Sequence, residues 1–139
     1  MKETKENRTR VEDLQRMFAR EGIQFSREEG WEELEEHVEY HKYLLSQQLQ
    51  MDVSWEDAVY SWYDNVLRPL KNVILSWEFR SAFPRQMIGD LYLGVSDHWL
   101  YLKERDPSLG AEEAAVSFVT HYGKGIARWF SRFLLPSHW

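Results

Sequence analysis

The chain of 139 residues contains no cysteine. That excludes disulfide scaffolds, thiolate zinc sites, iron–sulfur clusters and any cysteine nucleophile together. Glycine and proline are scarce, with 7 and 4 copies, so helix breakers are few and each is informative about where an element ends. No run approaches the ~18 apolar residues of a membrane-spanning helix, and the charged N-terminus has no signal-peptide core. A soluble cytoplasmic protein is the expectation. Basic residues are in deficit, 17 Lys and Arg against 23 Asp and Glu, for a net charge of −6. Phosphate neutralisation needs the opposite balance, so nucleic acid is not an expected partner. A Gly-rich phosphate loop, a nucleophile elbow and a dinucleotide fingerprint are all missing. The residues therefore lean away from an enzyme. No catalytic residue is singled out, and no cofactor is expected.

What is present is a core-forming composition, 43% hydrophobic and 15% aromatic, in a chain long enough to bury roughly 68–70% of its unfolded surface. Three segments open on capping boxes, in which a hydroxyl and a carboxylate satisfy orphan amides at a helix start. Thr9-Arg10-Val11-Glu12 opens a helix with Val11, Leu14 and Phe18 on one face and Gly22 as its stop, after a charge-rich stretch of eight residues expected to fray. Ser26-Arg27-Glu28-Glu29 opens a longer one to about Gln50, with the stripe Trp31, Leu34, Val38, His41 and Leu45. Ser54-Trp55-Glu56-Asp57 starts a third, whose stripe Trp55, Val59, Trp62, Val66, Leu70, Val73 and Trp77 runs through Pro69. A kink near Arg68 is expected there. Ser81 to Pro84 reads as a loop. Ile88, Leu91, Val95, His98 and Leu102 then mark a fourth helix, ended by Asp106-Pro107. Gly110-Ala111-Glu112-Glu113 opens the last, with Ala115, Phe118, Tyr122, Ile126, Trp129 and Phe133 inward. Period-two alternation is not sustained anywhere, so the fold class is all-α.

The pattern also repeats. Leu34, Val38 and His41 match Leu91, Val95 and His98 at an offset of 57. Beyond the next loop, Glu56-Asp57-Ala58 matches Glu112-Glu113-Ala114 at an offset of 56. At that offset Trp62 pairs with Phe118, Leu70 with Ile126, Val73 with Trp129, Ile74 with Phe130, Trp77 with Phe133, and Pro69 with Gly125. The expected architecture is one helical domain over 1–139: an N-terminal arm and helix (1–25) acting as a lid, and two helix–loop–helix repeats (26–80 and 84–135) forming a pseudo-symmetric four-helix bundle.

Within that frame the candidates for chemistry are few. His41 and His98 hold equivalent places, and imidazoles facing across a pseudo-twofold axis would suit a metal or small ligand; two hydrogen-bonded core histidines are the alternative. His37-Val38-Glu39-Tyr40-His41 is not the zincin motif, because its acid lies two residues after the first histidine, about 200° around the helix. Glu33, four residues before His37, is a better third ligand. Glu28 to Glu39 holds seven acids and no Lys or Arg. It reads as a solvated face or as a docking surface for a basic partner, with Glu32, Glu35 and Glu36 as candidates. The C-terminal stretch has the opposite character. Lys124, Arg128 and Arg132 stand at four-residue steps, Trp129, Phe130, Phe133, Leu134 and Leu135 are interleaved, and Trp139 closes it. It suits a final bundle helix, a partner-binding helix or a helix lying on a membrane surface.

Trp62-Tyr63-Asp64-Asn65-Val66 with Pro69, then Phe83-Pro84, then Asp90-Leu91-Tyr92-Leu93 and His98, resembles in order and spacing a bacterial helical domain of unknown function. That domain is often found C-terminal to lipopolysaccharide-kinase-like or ParB-like domains. The likeness covers about residues 36–122, and His41, Tyr43-Leu44 and Ala58 fit the family pattern. Arg85 to Gly89 departs from it, since a Gly-Arg-Thr-like cap is expected before the acid. The resemblance implies an accessory module and carries over no catalytic residue. A non-catalytic interaction or regulatory module is the leading expectation, with a partner protein or self-association, a homodimer included. The alternative is a small-ligand or metal-binding bundle centred on the paired histidines.

Overall fold

The computed structural model describes residues 5–123, and these are all-α, with no strand among them. Helix α1 spans Lys5–Met17 and is followed by a 3₁₀ turn, Ala19–Glu21; α2 spans Gly30–Leu49, α3 Trp55–Trp62, α4 Arg68–Ile74, α5 Trp77–Ala82, α6 Ile88–Lys103 and α7 Ala111–Tyr122. One π turn, Tyr63–Leu67, joins α3 to α4. Pro69 explains it. Proline lacks an amide hydrogen and its ring crowds the carbonyl four residues back, that of Asn65. A widened preceding turn relieves the crowding, and the Arg68 N–H bonds to the Tyr63 carbonyl five residues back. The expected kink near Arg68 is thus a π turn placed just upstream.

The core is drawn from every long helix. Leu34 and Val38 of α2, Leu91 and Val95 of α6, Val59 and Trp62 of α3, Leu70 and Ile74 of α4, and Ala114 and Ala115 of α7 are all buried. Burying a large aliphatic or aromatic side chain contributes roughly 1.5–3 kcal/mol, so these stripes dominate the stability. α2 packs on α1, α3 and α6, while α4 packs on α6 and α7. The result is a packed helical bundle. α1 belongs to it rather than capping it. Leu14 and Phe18 are fully buried, and the Phe18 ring stacks 6.0 Å from that of Tyr63 and lies 5.9 Å from Trp62. The Tyr63 hydroxyl donates to Glu21 at 2.9 Å, and the Lys71 ammonium lies 2.9 Å from the same carboxylate. The expected lid is therefore an integral wall.

The capping patterns fare unevenly. Ser54 Oγ accepts from the Asp57 amide at 3.1 Å, and the Glu113 carboxylate accepts from the Gly110 amide at 2.8 Å, so α3 and α7 start where expected. α1 already runs from Lys5, which puts Thr9 inside the helix and replaces the expected fraying of residues 5–8. α2 begins four residues after Ser26, whose amide donates instead to the Asp90 carboxylate at 3.1 Å. The cause is a close crossing. The Gly89 amide bonds to the Gln24 carbonyl at 2.7 Å, and Phe25 is wedged between Gly30 and Gly89. A Cβ on Gly30 would fall 2.2 Å from the Phe25 ring, and one on Gly89 would fall 2.5 Å from the Gln24 oxygen.

Two further expectations change. The third helix ends at Ile74, because Ser76 Oγ accepts from the Phe79 amide and restarts the chain as α5. Trp77 consequently leaves the inward stripe and is 65% exposed, and Ser81 is helical rather than in a loop. α7 stops at Tyr122, which is exposed rather than inward, and Gly123 is extended. Ile126, Trp129 and Phe133 lie outside the described residues. No helix among the described residues is long and apolar enough to cross a membrane.

Candidate functional site

A groove of about 820 Å³ opens where α2 and α6 run side by side past the end of α3 and the π turn. Its floor is apolar: Leu44 and Leu45 from α2, Trp62 and Val66 from α3 and the π turn, Trp99 and Leu100 from α6. Glu36, His37, Tyr40 and His41 line one side, Asp97, Lys103 and Glu104 the other, and Ser61 and Asn65 the end. The helical period explains the mixture. Positions 37, 41, 44, 45 and 48 share the flank of α2 next to its buried Leu34 and Val38 stripe. A shallower acidic trough continues from it, sharing Glu36, His37 and Asp97 and adding Glu33 and Asp90.

His41 and His98 sit in closely similar settings. His41 Nε2 lies 2.8 Å from Ser61 Oγ on α3, and His98 Nε2 lies 2.9 Å from Ser117 Oγ on α7. The Asn65 amide also donates to Ser61 Oγ at 3.0 Å, which leaves the serine hydrogen available to the imidazole nitrogen. Burial, reinforced by the Lys103 charge, holds His41 below the ordinary histidine range. Burial, then the neighbouring His121, does the same for His98. Both rings are therefore favoured in the neutral state, as a hydrogen-bonded structural pair requires. A serine and a histidine at this distance invite comparison with a nucleophile and its base. Ser117 is fully buried, however, so no substrate carbonyl can reach it, and neither imidazole has a carboxylate hydrogen-bonded to its second nitrogen among the described residues.

The other candidates are dispersed. His37 Nε2 lies 3.3 Å from Asp97, and Glu33 pairs with Arg27. His37 and His41 line the groove together, whereas His98 belongs to an aromatic cluster with Tyr101, Phe118, His121 and Tyr122. Among the described residues, no group of three His, Asp or Glu is arranged to hold a metal ion. Of the acidic face, Glu32 is exposed, Glu36 lines the groove, and Glu35 is half-buried 3.7 Å from Arg10. Burial raises the Glu35 carboxyl above its ordinary range despite that guanidinium. Arg10 also pairs with Glu39 at 2.9 Å and lies 4.5 Å over the Trp55 ring, so much of this face is tied to α1. Lys124, Arg128, Arg132 and Trp139 lie outside the described residues.

Searched against family models, curated proteins and solved structures, the chain matches none. What it is must be read from its own geometry.

Reading the sequence for its repeat missed Ser61 and Ser117, although the signal was there: they stand opposite each other at the same offset of 56 that pairs Trp62 with Phe118. A serine next to a large aromatic draws little notice until the histidine across from it is known. The sequence also missed Trp99, Lys103 and Glu104 as groove residues, because only the side-by-side packing of α2 and α6 gives them a common purpose.

Proposed function

We propose that this chain is a non-catalytic helical interaction module. In this reading residues 26–80 and 84–135 are equivalent helix–loop–helix units of a pseudo-symmetric four-helix bundle, to which the N-terminal helix is added. The module acts in the cytoplasm on a partner protein or a second copy of itself, as the resemblance to a bacterial accessory domain also implies. The observation that carries it is the division of labour around the groove. The histidines that would serve a metal or a reaction are spent on serines of their own units. The groove keeps an apolar floor with acids at Glu36, Asp97 and Glu104, which suits a basic, amphipathic segment.

A second reading, a small ligand held beside His37 and His41, is favoured by the groove's volume, inside the ~300–1,000 Å³ typical of small-molecule sites. Native mass spectrometry on protein purified without chelators separates the two. The interaction module is expected at its sequence mass, as monomer or dimer, with any dimer weakened by salt because exposed charges are screened within about 10 Å at 0.1 M. A mass excess that disappears in the His37→Gln/His41→Gln double variant would overturn the module in favour of the ligand-binding bundle.

A further inference from the structure

We infer that the groove between α2, α3 and α6 is the seat of this chain's own C-terminal segment, residues 124–139. The inference rests on the proposed two-unit architecture and names the occupant of its groove.

In the first half, the chain runs on from α3 through the π turn into α4, which packs on α6 and α7, and into α5. Leu70 and Ile74 of α4 are fully buried, and the rings of Phe79 and Phe83 lie 6.4 and 5.3 Å from that of Phe118. At the offset of 56, Leu70 and Ile74 correspond to Ile126 and Phe130, Phe79 and Phe83 to Leu135 and Trp139, and Phe118 to Trp62. Every one of these counterparts is apolar. Exchanging the two halves turns α6 and α7 into α2 and α3. It therefore carries the contacts of α4 and α5 onto a surface of α2 and α3, where residues 124–139 would lie. Trp62, the counterpart of Phe118, lies on that surface and also lines the groove.

Charge points the same way. The segment carries Lys124, Arg128 and Arg132 and no acid. The groove and the trough beside it carry Glu33, Glu36, Asp90, Asp97 and Glu104 against Arg27, which is paired with Glu33, and Lys103. An apolar stripe on an apolar floor, with cations toward an acidic rim, is the arrangement of an amphipathic helix in a groove.

The absence of native cysteine makes the test direct. A nitroxide on Ser137→Cys in the full-length chain is the single label, read by the methyl NMR signals of Leu44, Leu45, Val66 and Leu100. The expected result is loss of those signals, recovered when the nitroxide is reduced and absent from the Ile126→Asp/Phe130→Asp variant. In a mixture of nitroxide-bearing, NMR-silent chains with isotope-labelled, cysteine-free chains, the signals should persist. Loss in the mixture as well would overturn seating within one chain and leave the interaction module standing as self-association. Persistence of the signals with labels at both Ser137→Cys and Ser131→Cys would overturn the seat itself. Neither result depends on the mass adduct that decides the module reading.

Discussion

Two glycines of α6 test the packing logic in opposite directions. Gly89 lies where the chain before α2 crosses the start of α6. A Cβ there would stand 2.5 Å from the Gln24 carbonyl oxygen and 2.7 Å from the Phe25 ring. The oxygen is backbone, held by the Gly89 amide at 2.7 Å, and the ring is wedged against Gly30, so neither can step aside cheaply. Gly94, five residues on, would place its Cβ 3.1 Å from the tip of the Phe118 ring, which can pivot. Alanine in place of glycine inside a helix gains up to ~1 kcal/mol from backbone entropy. At Gly89 this gain is opposed by overpacking of about 1–3 kcal/mol and by loss of a hydrogen bond worth ~1 kcal/mol. Gly89→Ala is therefore expected to destabilise by about 1–3 kcal/mol, while Gly94→Ala is expected to be neutral or stabilising by up to ~0.5 kcal/mol. Urea unfolding followed by circular dichroism measures both, with the midpoint moving and the slope unchanged. A Gly89→Ala protein as stable as Gly94→Ala would refute the crossing as the reason for glycine at position 89.

Because both His41 and His98 are held below their ordinary values, the unfolded chain binds more protons than the folded one as pH falls through about 6.5. Their contribution is fully present above that pH and is lost below it; urea midpoints between about pH 7.5 and 5.5 should fall with pH, and less so in the His41→Gln/His98→Gln variant. Tyr92 has a buried hydroxyl with no hydrogen-bond partner among the described residues, and burial, then the Glu21 charge, pushes its ionisation well above the ordinary tyrosine range. Tyr92→Phe should leave the urea midpoint unchanged or raised, whereas Lys71→Met, which strips Glu21 of its ammonium partner, should lower it. Trp62→Ala should cost about 3–5 kcal/mol and Trp77→Ala far less, since one ring is buried and the other is 65% exposed; equal costs would restore the uninterrupted third helix.

Much of this fold is legible in the order of residues. The stripes Leu34-Val38, Leu91-Val95 and Leu14-Phe18 place the core faces of three helices, because apolar spacing at 3.6 residues per turn is a local property. Ser54 and Gly110 mark helix starts for the same reason, their partners lying three residues away. The errors fall where a distant group wins. The Ser26 amide, which a capping box would give to Glu29, goes instead to Asp90, 64 residues away in the chain. Trp77 is the exception, leaving the stripe for a local reason: Ser76 caps a new helix just before it, with its partner Phe79 three residues on. The histidines were found by their spacing, but their partners were not, since the imidazole–serine distance depends on how neighbouring helices pack.

By itself, then, the sequence determined the all-α class, the core faces of most helices and the exclusion of cysteine chemistry. These come from local periodicity and from residue types that either can or cannot perform a given chemistry. Only the tertiary structure decided that His41 and His98 each bond to a serine of their own half, that α1 is a wall of the core, and that α2 and α6 leave a groove between them. Those outcomes depend on side chains far apart in sequence competing for the same few ångströms. Helical spacing aims each side chain toward a face, but packing selects what it meets there.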